Sequence, residues 1–371
     1  YNYYINKELE KIVADVNPQY LANSSPDNYT SFIKKKPIGG QREILVPNPK
    51  LLSIQKLIQH GLSGIPIDAS AVAYVKGKNI FNAAIKHIDK KSVLKLDISE
   101  FFNSIKYKTI VNTFTREGIE KDTAVRCAKI CTVSTTKKID AYLPIGAPSS
   151  PVISNIVLKR LDRSMRIFCA EMNVSYSRYA DDMHFSFSQE KSIADIIKQE
   201  VSSKLNSIGL ELNIKKTKLM SCNQRQSVLG LIVNNRVDIS RPVYRRIKAR
   251  LHYIKACNLH EYAAPFCFPY IMMLSDNGCI KARKLIEKYP FVRLTPYIPI
   301  RATSSFHCFR LLKSQNNQLI LRIHRLPPEM PIFWDIKERK FLEINERYPH
   351  CILNDKILLK SSISLCLDHL G

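Results

Sequence analysis

Tyr179-Ala180-Asp181-Asp182 sets two adjacent carboxylates between Val174-Ser175-Tyr176 and Met183-His184-Phe185-Ser186-Phe187. Adjacent like charges repel, and a buried carboxylate is costly unless it is paired or bound to metal. Both flanks alternate and are rich in β-branched and aromatic residues. This predicts a strand, a tight turn carrying the two aspartates, and a second strand. Such a turn is a candidate Mg²⁺ site, because hard divalent cations take oxygen ligands and bridge to substrate phosphate. The competing reading is a solvated hairpin turn, since Asp is a common turn residue. A third carboxylate weighs against it. Ser92-Val93-Leu94-Lys95-Leu96-Asp97 is an apolar run ending in an acid, continued by Ile98-Ser99-Glu100-Phe101-Phe102. A strand that delivers Asp97 at its end supplies what a two-metal phosphoryl-transfer site needs as a third ligand. Leu143 to Pro151 is a Gly/Pro/Ser loop opening the periodic run from Val152 to Met165. Such a loop can approach a nucleotide or template backbone closely.

In this order and spacing the three pieces resemble motifs A (Asp97 to Phe102), B (Pro144 to Pro151) and C (Tyr179 to Asp182) of reverse transcriptases. Leu210 to Lys218 is similar to motif D, and Ser227 to Val233 to the primer-grip strand of motif E. Gln41 to Pro47 and Leu51 to Gln55 resemble the fingers of the bacterial enzymes, so the likeness covers roughly residues 30–250. The nearest group is the retron and retron-like enzymes. Ala73 to Ile80, followed by Asn82-Ala83 and His87, resembles the retron N-A-x-x-H region with one extra residue of spacing. Val228-Leu229-Gly230 stands where retrons usually carry V-T-G, and Ile145 replaces the usual glutamine of motif B.

The resemblance implies an α+β right-hand polymerase fold: fingers over residues 1–90, a palm with an antiparallel sheet over 91–235, a thumb over 236–290, and a C-terminal extension over 291–371. It implies two Mg²⁺ ions as cofactors, held by Asp97 and Asp181, with Asp182 supporting and the Ile98 carbonyl assisting. Phe102 matches the steric gate that disfavours a ribose 2′-OH; its alternative is core packing. Arg42 and one of Lys35 or Lys36 are candidates for the triphosphate oxygens, the lysines alternatively forming an exposed basic strand. Lys216 is a candidate to protonate the departing pyrophosphate, or else a solvated surface lysine. Gly146, Ser150 and Pro151 would shape the loop over the template–nucleotide pair. Asn82 and His87 would contact a structured RNA, or serve as a helix cap and a packed histidine.

Composition agrees with a nucleic-acid partner. The 371 residues carry a net charge of +25, which self-repels unless a polyanion neutralises it. A membrane surface is the weaker alternative, and no run of 18 apolar residues exists for a span. The ten cysteines include no C-x-x-C pair, so zinc is not expected and reduced, mostly buried thiols are. The first residues do not resemble a secretory signal. Without an initiator Met, the chain is read as starting after a short missing segment of a cytoplasmic protein.

The elements that must position the acids follow from periodicity. Val93–Ile98 reads as a strand, and Leu51–Leu62, Thr109–Phe114, Thr123–Cys131, Val152–Glu171 and Ser192–Ile208 as helices. Val243 to Leu251 is a basic helix whose Arg245, Arg246, Lys248 and Arg250 are expected to track a duplex; a solvated basic face is the alternative. Beyond about residue 290, prolines cluster and short apolar runs such as Leu319 to Leu321 and Cys351 to Leu353 suggest strands or short helices. Trp334 is read as a core residue or a base-stacking platform.

Four functional readings stand. The first is an RNA-directed DNA polymerase that copies its own non-coding RNA and acts with an effector protein in anti-phage defence. The second is a defence-associated enzyme making repetitive or untemplated DNA, and the third an intron maturase. The fourth is a non-catalytic RNA-binding scaffold, against which the three intact aspartates argue. Expected partners are the structured RNA, its DNA product and dNTPs, with a homo-oligomer left open.

Overall fold

The computed structural model describes residues 2–14, 16, 26–35, 40–135, 138–256 and 264–294, together with four strands beyond them. Backbone contacts divide the chain into two compact units, Tyr1–Arg245 with Asn277–Lys281 and Arg246–Asp276 with Ala282–Gly371.

The first unit opens with α1 (Asn2–Ala14), then the hairpin β1 (Tyr29–Lys35) and β2 (Gln41–Pro47), and α2 (Pro49–Leu62). Helix α2 starts where it does because the Asn48 side chain accepts from Leu51 N at 2.9 Å and Pro49 sits in the first turn, where its missing N–H costs nothing. Next come α3 (Ile80–Ala84), β3 (Ser92–Asp97), α4 (Phe101–Ser104), α5 (Tyr107–Arg116), α6 (Lys121–Cys131) and the hairpin β4 (Val133–Thr135) and β5 (Lys138–Tyr142). Helix α7 (Ser150–Glu171) precedes the acidic hairpin, β6 (Ser175–Tyr179) and β7 (Asp182–Phe187). After α8 (Ile193–Asn206) follow β8 (Lys218–Ser221) and the short strands β9 (Ser227–Val228), β10 (Leu231–Ile232) and β11 (Asp238–Ile239).

The central sheet is antiparallel, in the order β6-β7-β3-β8. Ladder partners share a face, so the register sorts every side chain. Leu94, Leu96, Met183, Phe185 and Tyr176 fall on one face, and Tyr176 stacks on its partner Phe185 with ring centroids 4.8 Å apart. That face shares a core with Ile153, Ile156, Val157, Leu161 and Met165 of α7 and with Ile197, Val201 and Leu205 of α8. Phe185 and Phe187 are fully buried, each burial worth about 2 kcal/mol. The opposite face carries Val93, Lys95 and Asp97, Asp182, His184 and Ser186, and Ser177 and Tyr179. The acids therefore emerge on the polar side of a sheet anchored by helices on the other.

The second unit takes in most of α9 (Arg241–Ala256), then α10 (Ala264–Asp276), α11 (Ile280–Lys288) from Ala282 onward and α12 (Phe291–Leu294). Helix α9 buries Ile247, Leu251 and Ile254, one face at helical spacing. It leaves Arg245, Arg246, Lys248 and Arg250 exposed. Strands β12 (His307–Lys313), β13 (Leu319–Arg325), β14 (Ile332–Asp335) and β15 (Lys340–Leu342) form an antiparallel meander. Trp334 lies on β14; its side chain, and the expected run from Cys351 to Leu353, fall outside the described residues. No described helix is long and apolar enough to cross a membrane.

Ser227 to Val233 is not the single strand expected. Leu229 and Gly230 take positive φ of 50° and 84°, so the chain reverses there and β9 pairs with β10 instead of continuing into it.

Candidate active site

Strands β6 and β7 are joined by Ala180-Asp181, and Tyr179 pairs with Asp182 across the turn. Ala180 takes a left-handed φ of 56°, a strained choice for a residue with a Cβ. Two contacts hold it there. Arg178 Nη1 donates to the Ala180 carbonyl at 2.9 Å, and Ile98 N donates to the Asp181 carbonyl at 3.1 Å. Asp97 is the register partner of Asp182. Strand ends brought together over a long sequence separation thus gather three carboxylates at one edge of the polar face. The segment after β3 is fixed in turn, since Asn213 N donates to the Asp97 carbonyl at 2.7 Å and Ser99 N to the Glu211 carbonyl at 2.8 Å.

Burial raises the pKa of the Asp181 carboxyl, and the neighbouring Asp182 and Asp97 carboxylates add to the shift. The other two acids have counter-charges. Lys216, on a 3-10 turn over Ile214–Lys216, places Nζ 2.8 and 3.0 Å from the two Asp97 carboxylate oxygens. Lys95 Nζ lies 2.6 Å from Asp182 Oδ1. With their carboxylates turned onto ammonium groups, no cluster of three or more acidic, His or Cys side chains closes into a metal cage among the described residues. The donor chemistry nevertheless fits a hard divalent cation. Three carboxylates meet at one edge, and the two neighbours disfavour Asp181 as an anion, an effect that the Lys216 charge offsets in part. Lys216, a candidate to protonate the departing pyrophosphate or else a solvated surface lysine, pairs here with Asp97.

Other expected residues divide clearly. Phe102, on α4, is partly buried against the core with its ring centroid 5.0 Å from that of Phe101. Gly146 has φ +117°, and a Cβ there would lie 2.7 Å from the Leu45 carbonyl oxygen. The motif B-like loop is thus docked on β2, where Leu45 N donates to the Ile145 carbonyl at 2.7 Å. Ser150 Oγ closes the loop by donating to the Pro144 carbonyl at 2.7 Å. Arg42 is exposed on β2, and Lys36 and the Lys35 side chain fall outside the described residues.

The structure places Asn82 as a helix cap and His87 as a packed histidine, the alternative readings of both residues. Asn82 closes a capping box with Asn79, its Oδ1 accepting from Asn79 N at 2.7 Å. His87 is fully buried, with its ring nitrogens 2.8 and 2.7 Å from Ser186 Oγ and Ser177 Oγ. Burial and the nearby His184 ring lower its pKa well below that of a free histidine, so it packs as a neutral strut between β6 and β7. An enclosed ring with both nitrogens bonded has nothing to offer an RNA.

Three residues escaped the sequence reading. Lys95 is two positions before Asp97 and so on its face, a signal the alternation contained. Tyr74 takes a left-handed φ of 61°, and 51% of it is exposed. Burial raises its pKa, with Asp181 and Tyr179 adding to the shift, and Arg42 opposes it, so this strained aromatic sits within the field of the site. Arg178 is wholly buried on the apolar face, where a sequence reading expects no charge.

The chain matches the family model for reverse transcriptase (RNA-dependent DNA polymerase) over residues 33–233. It is 32% identical over 263 residues to the Retron Ec83 reverse transcriptase of Escherichia coli, covering 68% of this chain and 83% of that protein. It is 28% identical over 238 residues to the Retron Mx65 reverse transcriptase of Myxococcus xanthus, covering 61% of this chain but 56% of that protein. Among solved structures it is similar to apo telomerase from Candida tropicalis truncated from its C-terminal domain, with 14% identity, a TM-score of 0.41 and coverage of 64% of this chain and 60% of that one. The matched span runs from β1 to just past β10 and holds all three aspartates, the docked glycine loop and the acidic turn. The chain belongs to the reverse transcriptase (RNA-dependent DNA polymerase) family, among the bacterial retron enzymes.

Proposed function

We propose that the protein is an RNA-directed DNA polymerase that copies part of an associated structured RNA into DNA. The observation that carries this reading is the meeting of Asp97, Asp181 and Asp182 at one edge of the polar sheet face. Asp97 and Asp181, with Asp182 and the Ile98 carbonyl in support, would hold two Mg²⁺ ions. When bound, the pair stabilises the attacking and leaving oxygens of nucleotidyl transfer. Lys216 and Lys95 keep the acids neutralised until cations replace them. Arg42 supplies fixed positive charge for a triphosphate at the fingers edge of the site. The fingers, palm, thumb and C-terminal extension expected from the sequence remain our division of labour along the chain. A defence role with an effector protein, in the cytoplasm, rests on the retron kinship.

The test is to purify the full chain with its nucleic acid and analyse the product. DNA of defined length, joined to RNA and sensitive to debranching, is expected. Long repetitive DNA made without a matching template would defeat the retron reading while leaving the polymerase intact. Plain RNA with no DNA would favour a scaffold.

Two further outcomes follow. Phe102→Val removes bulk at the position, five residues after Asp97, that matches the family's steric gate, and is expected to raise the kcat/KM ratio of rNTP to dNTP by about 10-fold or more. An unchanged ratio in single-nucleotide incorporation would make Phe102 a core residue only. Replacing Arg245, Arg246, Lys248 and Arg250 together with alanine removes the exposed charge of α9. The slope of log Kd against log salt for RNA binding should then flatten by roughly three. An unchanged slope would leave α9 a solvated face.

A further inference from the structure

Arg178 is fully buried on the apolar face of the sheet, and so is the Asp162 it meets on α7. The ion pair is forked: Nε donates to Asp162 Oδ1 at 2.8 Å and Nη2 to Oδ2 at 2.6 Å. Tyr176 Oη donates to the same Oδ1 at 2.8 Å. Nη2 also reaches Asn155 Oδ1 at 3.1 Å, and Asn155 Nδ2 donates to the Ala73 carbonyl at 2.8 Å. The remaining arm, Nη1, holds the Ala180 carbonyl. Burial alone favours stability only weakly here, because apolar side chains of similar volume often replace such a pair without loss. What they cannot replace is the arm on Ala180.

That arm matters because of where it ends. Ala180 is the left-handed residue of the turn, immediately before Asp181. Asn155 and Asp162 belong to the helix that opens at the docked glycine loop, and Ala73 precedes the strained Tyr74. Backbone bonds tighten the same knot, with Val72 N donating to the Arg178 carbonyl at 2.9 Å and Arg178 N to the Ser70 carbonyl at 2.9 Å. Arg178 therefore ties α7 and the acidic turn together through its guanidinium, and the 70–74 segment through its backbone and Asn155.

We propose that Arg178 is a positioning residue for nucleotidyl transfer: pinned by Asp162 and Asn155, it fixes the Ala180 carbonyl and with it the height at which Asp181 and Asp182 stand beside Asp97. The inference rests on the polymerase reading and adds to it a residue that touches no substrate. Partners that orient metal ligands from behind typically change metal affinity or activity by about 10–100-fold.

The test uses the full chain on a generic primer–template. Arg178→Lys keeps a charge opposite Asp162 but lacks the fork. Arg178→Met with Asp162→Leu replaces the pair by apolar bulk. Arg178→Met alone should melt roughly 10 °C lower, and the double replacement should recover most of that loss. In both the lysine variant and the double variant, the Mg²⁺ concentration for half-maximal extension should rise about 10-fold or more. Mn²⁺ binding, read by electron paramagnetic resonance without substrate, should weaken in parallel. If either folded variant shows wild-type Mg²⁺ dependence and Mn²⁺ affinity, Arg178 is merely structural and the proposal fails. Asp181→Ala in the same assay separates the two levels: normal extension there would remove the site itself, whatever Arg178 does.

Discussion

Asp181→Ala is expected to lower dNTP incorporation by on the order of 10³-fold or more in a Mg²⁺-supported primer-extension assay. The turn is the reason. Asp181 is presented there by a strained Ala180 and held by bonds to its own carbonyl and that of Ala180, none of which involves the carboxylate. Removing the carboxylate takes away its hydrogen bond to the Asp181 backbone but spares both of these. Burial and two neighbouring acids work against the charged form, so the variant should melt at the wild-type temperature or above it. RNA affinity should change little, because it comes from Lys and Arg on phosphate. A group whose removal stabilises or spares the fold, spares RNA binding and abolishes synthesis has a catalytic role. Asp97→Ala should behave alike in the assay but melt differently, since it strands Lys216. Near-normal extension by Asp181→Ala would sink the metal assignment.

The acids are legible in the sequence because strand alternation and turn chemistry act over a few residues. Val93 to Asp97 and Met183 to Phe187 alternate, so the face carrying Asp97 and Asp182 follows from residue order alone. The helix over Ser150–Glu171 is legible from Ile153, Ile156, Val157 and Leu161 at helical spacing. The counter-charges are not. Lys216 meets Asp97 across 119 residues, and local pattern says nothing about which lysine will fold back. Arg178 is hidden for a different reason. Charge is ordinarily read as exposed, and only the pairing of β6 with β7 shows that Arg178 shares the face of Met183 and must find an acid inside. His87 is the converse case, where both readings stood in the sequence. Its family context suggests a ligand contact, while its position opposite Ser177 and Ser186 makes it a packed strut. Leu229-Gly230 is a turn within an apolar run, where hydrophobicity outweighs the single glycine in the reading. In the C-terminal region the apolar run Leu319 to Leu321 is legible and lies on β13, whereas no catalytic motif marks the other strands of the meander.

The second large effect concerns a residue with no side chain. Gly146→Ala is expected to destabilise the fold by about 2–6 kcal/mol, from strain of about 1–3 kcal/mol at its φ and a similar cost of overpacking. At φ +117° an L side chain is already disfavoured. Its Cβ would also meet the Leu45 carbonyl oxygen at 2.7 Å and Ile44 Cγ2 at 2.9 Å. The Leu45 oxygen belongs to a paired strand, which yields less readily than the end of a flexible side chain. Moving the loop away would break the bond between Leu45 N and Ile145 O and tilt the start of α7, which carries Asn155 and Asp162 toward the acidic turn. Activity should therefore fall further than stability explains, with a raised KM for dNTP in variant protein that remains folded. Gly77 provides the control. Its φ of +79° imposes strain of about 1 kcal/mol, but nothing lies within 4 Å of a Cβ there. Chemical denaturation of the two variants side by side isolates the contact from the conformation. If Gly146→Ala loses no more than Gly77→Ala, then the loop is not held against β2, and its place beside the site owes nothing to that docking.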